Sequence, residues 1–409
     1  MSTARRPDHH GNAPQGGHRA APAGRPAAHA AGLRHVLAHL VTPLLMCIGM
    51  GLAYLGAFAH PAPHHLPVAV VGSSHSAQLL AQSINDKSGG DLEARTVPSR
   101  STAVEQLRHQ DIFGAYVMKA KTQAQPRAAA PELLVATAGS DTSASVVQKI
   151  FTPLAARQGA PLKVTDVAPP AEDDPTGQGI FFLLVAISIG SYASVAVIGG
   201  AGAVLPLRLR AALAIGTSVV VSLIGTAFAG PVFHLVDHGL WGLWGMAWLY
   251  SAGVLLIGTG LHTFLKRWTT LGVMALFVML NFTSSGGIFR PEMQNGFFAA
   301  LHSFWNGAGF VEGLRSHVYF DGYGLSGHVW TLVGWLLVGV LMVGLAGLAE
   351  RRRRAAEAEA AANAAAVAAA AVAATVPEPR PRRAVGAAAP GTGSADEAAE
   401  EEMAEAVGV

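Results

Sequence analysis

Long apolar runs separated by short basic or polar breaks set the pattern of this chain. Val36 to Ala59, Ile180 to Leu205, Ala211 to Val236, Leu240 to Leu265, Thr269 to Ser284 and His328 to Ala349 are each predominantly apolar, and a helix crosses a bilayer with about 20 such residues. Six membrane-spanning helices are therefore predicted. For the first run, a cleaved signal peptide competes with a retained signal anchor. The run is long for the apolar part of a signal peptide, lies late in the chain and lacks a small-x-small cleavage site before His60, which favours the retained span.

Between the first two runs the pattern shortens. Leu66 to Ser74 (LPVAVVGSS) is an apolar run ending in small polar residues, as a buried strand entering a turn would be. Ala77 to Ile84 has helical spacing, Leu92 to Val97 reads as strand, and Thr102 to His109 as helix. Phe113 to Met118 and Leu133 to Ala136 follow as strands, Val146 to Arg157 as helix and Leu162 to Val167 as a last strand. A Pro- and acid-rich linker, Pro169 to Pro175, closes the segment. Strands alternating with helices predict a small α/β domain with helices on at least one face of its sheet. About 110 residues suffice for one core.

Charge gives the runs a direction. Arg5, Arg6, Arg19 and Arg25 precede the first, and Arg208, Arg210, Lys266, Arg267 and Arg351 to Arg354 lie at the ends of later ones. With the N-terminus inside, each of these basic loops falls on the cytoplasmic side, so both termini are expected in the cytoplasm of a multi-pass plasma-membrane protein. The α/β segment then lies outside, where a long loop can be carried across largely regardless of charge. Its ten Lys/Arg balance eleven Asp/Glu over His60 to Gly179.

The predicted fold class is thus an α-helical polytopic membrane protein of six spans with an extracytoplasmic α/β domain between the first and second. By residue, 1–32 is a disordered cytoplasmic tail, poor in hydrophobic periodicity, and 33–59 the first span. Residues 60–178 form the α/β domain and 179–349 a five-span unit with short outer helices over 285–320. Residues 350–409 are an Ala/Glu-rich cytoplasmic tail, helical at first because alanine is the best helix former, then disordered towards the acidic end Glu397 to Glu405.

Composition agrees: 51% of residues are hydrophobic, 13% are charged, and the mean hydropathy is +0.36. A net charge of +2 points to no nucleic-acid partner. Cys47 is the single cysteine, so no internal disulfide and no thiol metal site are expected. His60, His64 and His65 could approach a metal, but in a Pro-rich linker they lack a rigid surround, and no metal is assigned. The P-loop pattern, the Gly-x-Ser-x-Gly elbow and the His-Glu-x-x-His pair do not occur. No catalytic residue or cofactor is therefore predicted, and the chain is read as a non-enzyme that partners the lipid bilayer. Gly199 to Gly202 lies within an apolar run, where small residues allow close helix packing.

The chemistry concentrates in Asn281 to Phe320. Asn281, Ser284 and Ser285 end an apolar run, Gly286 and Gly287 allow the backbone to turn, and Pro291 can open a helix with Glu292 beside its N-terminal dipole. Met293 to Trp305 alternates aromatic and polar residues in the manner of an interfacial helix, Asn306 to Gly309 breaks it, and Phe310 to Tyr319 forms a second. Within that second helix Glu312 and Arg315 are three apart on one face. A 40-residue unstructured outer loop is the alternative, but structureless loops that long are uncommon, which favours two short re-entrant or interfacial helices.

The layout of one span, an α/β domain and five further spans resembles the ABC-2 type permease superfamily, in particular its phage infection protein-like branch. Asn281 to Gly287, followed by Phe289, Pro291 and Glu292, is similar to that branch's Asn/Ser/Gly/Gly and Pro/Glu signature, with Arg290 standing where the family usually has Pro directly after Phe. Gly313-Leu314-Arg315 resembles its Gly-Leu-Arg, and Leu66 to Ser74 the first strand of its outer domain, although the long coiled-coil insertion of the largest members is missing. The resemblance implies export of an amphipathic or hydrophobic substrate by a homodimer or heterodimer driven by a separate cytoplasmic ATPase subunit. Glu312 and Arg315 would then hold an outer gate. It equally allows a non-transporting cell-surface receptor or scaffold that binds a partner through the α/β domain.

Overall fold

In a computed structural model the described residues are 25–118 and 130–375. The predicted disorder of 1–24 and the acidic tail beyond 375 lie outside them. Helix α1, Arg25–Phe58, begins eight residues before the expected start at Leu33. Residues 25–32 therefore continue the helix instead of belonging to a disordered tail.

The mixed segment alternates strand and helix as expected. It comprises β1 (Leu66–Val71), α2 (His75–Ser88), β2 (Leu92–Val97), α3 (Arg100–Arg108), β3 (Ala115–Val117), β4 (Glu132–Val135), α4 (Asp141–Arg157) and β5 (Lys163–Asp166). The strand order is β2-β1-β3-β4-β5. All neighbours are parallel except β3 and β4, which pair antiparallel with Ala115 opposite Leu134. Successive strand side chains point to opposite faces. Leu66, Val68 and Val70 of β1 accordingly join Ala77, Val147 and Phe151 of α2 and α4 in one core. Ala69 and Val71 join Ala103 and Leu107 of α3 in another. Both faces of the sheet are thus covered. The three helices start at serine caps, Ser74, Ser99 and Ser140, whose hydroxyls accept from Ala77, Thr102 and Ser143 amides and satisfy donors the helix cannot.

From Gly179 the chain is helical. It runs through α5 (Gly179–Gly200), a 3-10 turn (Ala201–Val204), α6 (Leu207–Ala227), a π segment (Phe228–Val232) and α7 (Leu240–Leu265). A second 3-10 turn, Lys266–Trp268, then leads to α8 (Thr269–Met274), a π segment (Ala275–Leu280) and α9 (Asn281–Ser284). A one-turn 3-10 helix (Pro291–Met293), α10 (Gly296–His302), α11 (Asn306–Tyr319) and α12 (Leu325–Thr375) complete it.

Among the described residues, five helical stretches are long and apolar enough to cross a membrane: Leu33–Phe58, Gly179–Val204, Leu207–Val232, Leu240–Ser284 and Leu325–Ala374. The two runs predicted at Leu240 and Thr269 are joined in one 45-residue helical stretch, because their link is itself a 3-10 turn. The stretch is not straight. Tyr250 and Asn281 are 31 residues apart yet hydrogen-bonded at 2.7 Å, whereas a continuous helix would hold them about 46 Å apart. The reversal falls at Lys266, whose φ of 50° leaves the helical region.

Helix α7 is central, burying Leu243, Tyr250, Val254 and Leu255 against α5, α6 and α11. Gly199 abuts His262 so closely that a Cβ there would lie 2.7 Å from the imidazole, which is the close helix approach expected of this glycine run. The outer sides of α1, α6 and α12 leave Leu52, Val220, Leu223, Leu337 and Leu341 exposed, the surface a lipid-facing helix presents. Beyond Arg351 the chain forms a separate unit. Its residues 352–374 are exposed, and they carry the Arg353–Glu357 pair at 3.8 Å.

Candidate functional site

The apolar pattern of the Thr269–Ser284 leg ends at Asn281, which is fully buried. A buried amide must find partners, and Asn281 finds them on two other helices. Its Nδ2 donates to Tyr250 Oη of α7 at 2.7 Å, and its Oδ1 accepts from the Gly307 amide of α11 at 2.6 Å. Tyr250 Oη in turn meets Ser188 Oγ of α5 at 2.5 Å. This polar chain ties four elements together and satisfies one of the donors at the start of α11. In the π segment before it, Leu276 O accepts from Trp305 Nε1 at 3.2 Å.

The hydroxyls of the turn are committed to the backbone. Thr283 and Ser284 donate to Met279 and Leu280 carbonyls, each at 2.7 Å, and Ser285 to Phe282 O at 3.0 Å. Such back-bonding satisfies the buried hydroxyls locally and leaves these groups structural. Gly286 then has φ +75°, and a Cβ on it would lie 2.7 Å from Glu312 Oε1. At Gly287 a Cβ would lie 2.2 Å from the Phe181 ring.

The close approach lets Arg315 reach the turn. Its Nη1 donates to Gly286 O at 2.8 Å, Nη2 to Gly287 O at 3.1 Å, and Nη1 also to Glu312 Oε1 at 3.0 Å. Glu312 Oε2 accepts from Arg290 Nη1, and Arg290 lies 4.0 Å from Glu292 and 5.3 Å from the Phe113 ring centroid. Arg290, Glu312 and Arg315 are all buried. Burial would raise the Glu312 carboxyl, but the flanking Arg290 and Arg315 overcome it and hold the group down at about 2. Burial lowers Arg315 and pushes His302 down to about 4. His302 Nδ1 donates to Ser284 O at 2.9 Å.

Helix α11 differs from its prediction in two ways. Asn306 to Gly309 form its first turn instead of a break, because Asn281 and a buried setting override the weak helix preference of Asn and Gly. It is also buried along nearly its whole length, so it lies inside protein and not along an interface. The first short helix spans only Gly296–His302, with Asn295 as its cap, since Pro291–Met293 makes a separate turn. Pro291 opens that turn and Glu292 sits within it.

The sheet domain rests on the hairpin that this turn, α10, α11 and the residues just after α11 form. Thr142 Oγ1 donates to Ile288 O at 3.2 Å, the His109 and Tyr323 rings stack at 3.7 Å, and Arg108 reaches Asp321 at 3.5 Å. Ala171 N donates to Tyr319 Oη at 3.4 Å. The linker carboxylate of Asp174 accepts from Gly179 N at 2.7 Å at the start of α5. Its pKa is raised by burial. Of the expected residues, the structure joins Glu312, Arg315, Gly286 and Gly287 in one cluster and places Asn281 on a separate polar chain. Arg290, Tyr250 and Asp174 were missed as partners. Arg290 interrupted the Phe-Pro pattern, which was its only signal. Among the described residues no group of three His, Cys, Asp or Glu side chains could hold a metal.

The arrangement can hold a bent backbone rigidly between two bodies; it presents no nucleophile beside a base. The chain matches no protein-family model, no curated protein and no solved structure.

Proposed function

We propose that the chain is an integral membrane permease subunit of the ABC-2 type, exporting an amphipathic or hydrophobic substrate with a separate cytoplasmic ATPase and working as a dimer. In this reading the Leu240–Ser284 hairpin supplies two spans, giving six. The α/β domain lies outside, both termini lie in the cytoplasm, and the Gly286–Phe320 hairpin is the outer gate.

One observation carries the reading: a buried three-charge cluster braces irregular backbone between a helix bundle and a folded domain. Burying charges is costly, and a bundle that served only as an anchor would need neither these charges nor a broken helix. Irregular backbone at membrane depth is tolerated where protein shields it or where it lines a path, as in transporters. The two π segments add support, since such bulges often mark functional positions.

The test has two arms. The full chain is purified from membranes and co-purifying ATPases are identified. Efflux of a panel of fluorescent amphiphiles is then compared between deletion and complemented cells. An associated ATPase with complementation-dependent efflux supports export. If neither appears, while the membrane-embedded chain retains a surface ligand that depends on residues 60–178, the receptor reading replaces it.

A further inference from the structure

A second feature lies away from the hairpin, where α6 and α12 diverge at the basic end of the bundle. The two helices leave a groove of about 650 Å³, lined by Leu207, Leu341, Gly344 and Leu348 together with Arg208 and Arg351. Leu341 and Leu348 are more than half exposed, and a Cβ at Gly344 would meet nothing within 4 Å, so the groove is open along its side. Nearby, Arg210 pairs with Glu350, which cross-links the same two helices and consumes that arginine's charge. Arg208 and Arg351 form no ion pair among the described residues.

We infer that this groove is a binding site for an anionic glycerophospholipid, its phosphate held between Arg208 and Arg351 and an acyl chain lying along the leucines. An apolar trough with two cations at one end matches the two halves of such a lipid, and basic pockets between membrane helices are known to take anionic headgroups. A second copy of α12 is the other occupant the shape would admit. Two-fold pairing there would bring like-charged Arg208 and Arg351 together, while the neighbouring Glu350 carboxylate is already engaged by Arg210, which disfavours it. The inference requires the bundle to lie in a bilayer and is independent of export.

The test uses the full chain, delipidated in detergent and titrated with phosphatidylglycerol or phosphatidylcholine, bound lipid being counted by native mass spectrometry. Phosphatidylglycerol should bind preferentially. The Arg208→Gln/Arg351→Gln variant should weaken it about 30-fold, the equivalent of about 1 kcal/mol for each arginine. Gly344→Leu, which fills the groove and keeps both charges, should also abolish the preference. Neither change should alter melting in phosphatidylcholine, so misfolding is recognised separately. Arg352→Gln/Arg353→Gln/Arg354→Gln should retain the preference. Equal binding of both lipids, survival of the preference in the first two variants, or its loss only in the third would overturn the site. So would conversion of a dimer to a monomer by Gly344→Leu with no change in lipid bound.

Discussion

Glu312→Gln isolates the electrostatics of the hairpin, because glutamine keeps the shape of the side chain and removes its charge. Arg315 would then lose its ion pair with Glu312, and Arg290 would keep only Glu292 at 4.0 Å. Removing one partner of a buried ion pair costs about 3–5 kcal/mol, since the remaining charge stays desolvated. For a protein of this size that corresponds to a fall of about 5 °C in melting temperature. Trp305 and Trp335, whose rings lie 5.2 Å apart beside the hairpin, provide an intrinsic fluorescence readout in detergent. Arg290→Met/Glu312→Leu/Arg315→Met removes every charge of the cluster and should recover part of the loss. Recovery should stop short of the parent, because Gly286 O and Gly287 O lose their Arg315 donors and a buried unpaired carbonyl costs about 1–3 kcal/mol. A Glu312→Gln protein melting within about 1 °C of the parent would refute the view that the carboxylate neutralises buried guanidinium groups.

Two further predictions concern the same element. Gly287→Ala should destabilise by about 1–3 kcal/mol through its clash with Phe181, whereas Gly296→Ala, which meets open space, should stay within about 0.5 kcal/mol; equal melting of the two would show that the close approach is not required. His302 has its pKa lowered from 6.5 to about 4 by burial, so as pH falls below 6.5 the unfolded chain takes up the proton first and stability declines. The loss reaches up to about 3 kcal/mol by pH 4 and should be reduced in His302→Gln. Identical pH profiles for parent and variant would contradict this. Glu312 contributes in a lower window, from 4.5 down to about 2.

Much of this architecture follows from local pattern. The period-two alternation of Leu66, Val68 and Val70 against Ala69 and Val71 assigns a strand buried on both faces, and the length of the apolar runs assigns the bundle helices. What local pattern cannot supply is partnership at a distance. Glu312 and Arg315 are three residues apart and legible as a pair, while Arg290 is 22 residues from Glu312 and looked like an interruption. The same blindness affected Asn306 to Gly309, whose Asn and Gly content reads as a break. Only Asn281, 26 residues earlier, makes it a helix start by accepting from Gly307. The buried state of α11 was likewise hidden, because its aromatic and polar residues are equally those of an interfacial helix.

If the 286–320 segment acts as the proposed outer gate, it moves relative to the α/β domain when substrate leaves. Arg108 and Asp321 span the junction, are 53% and 85% exposed, and lie 3.5 Å apart. Arg108→Cys/Asp321→Cys in a Cys47→Ser background can therefore be bridged by a short, reducible bifunctional thiol reagent, and efflux measured in the same cells before bridging, after it, and after reduction. Export should stop on bridging and return on reduction. Undiminished export from fully bridged protein would contradict the account.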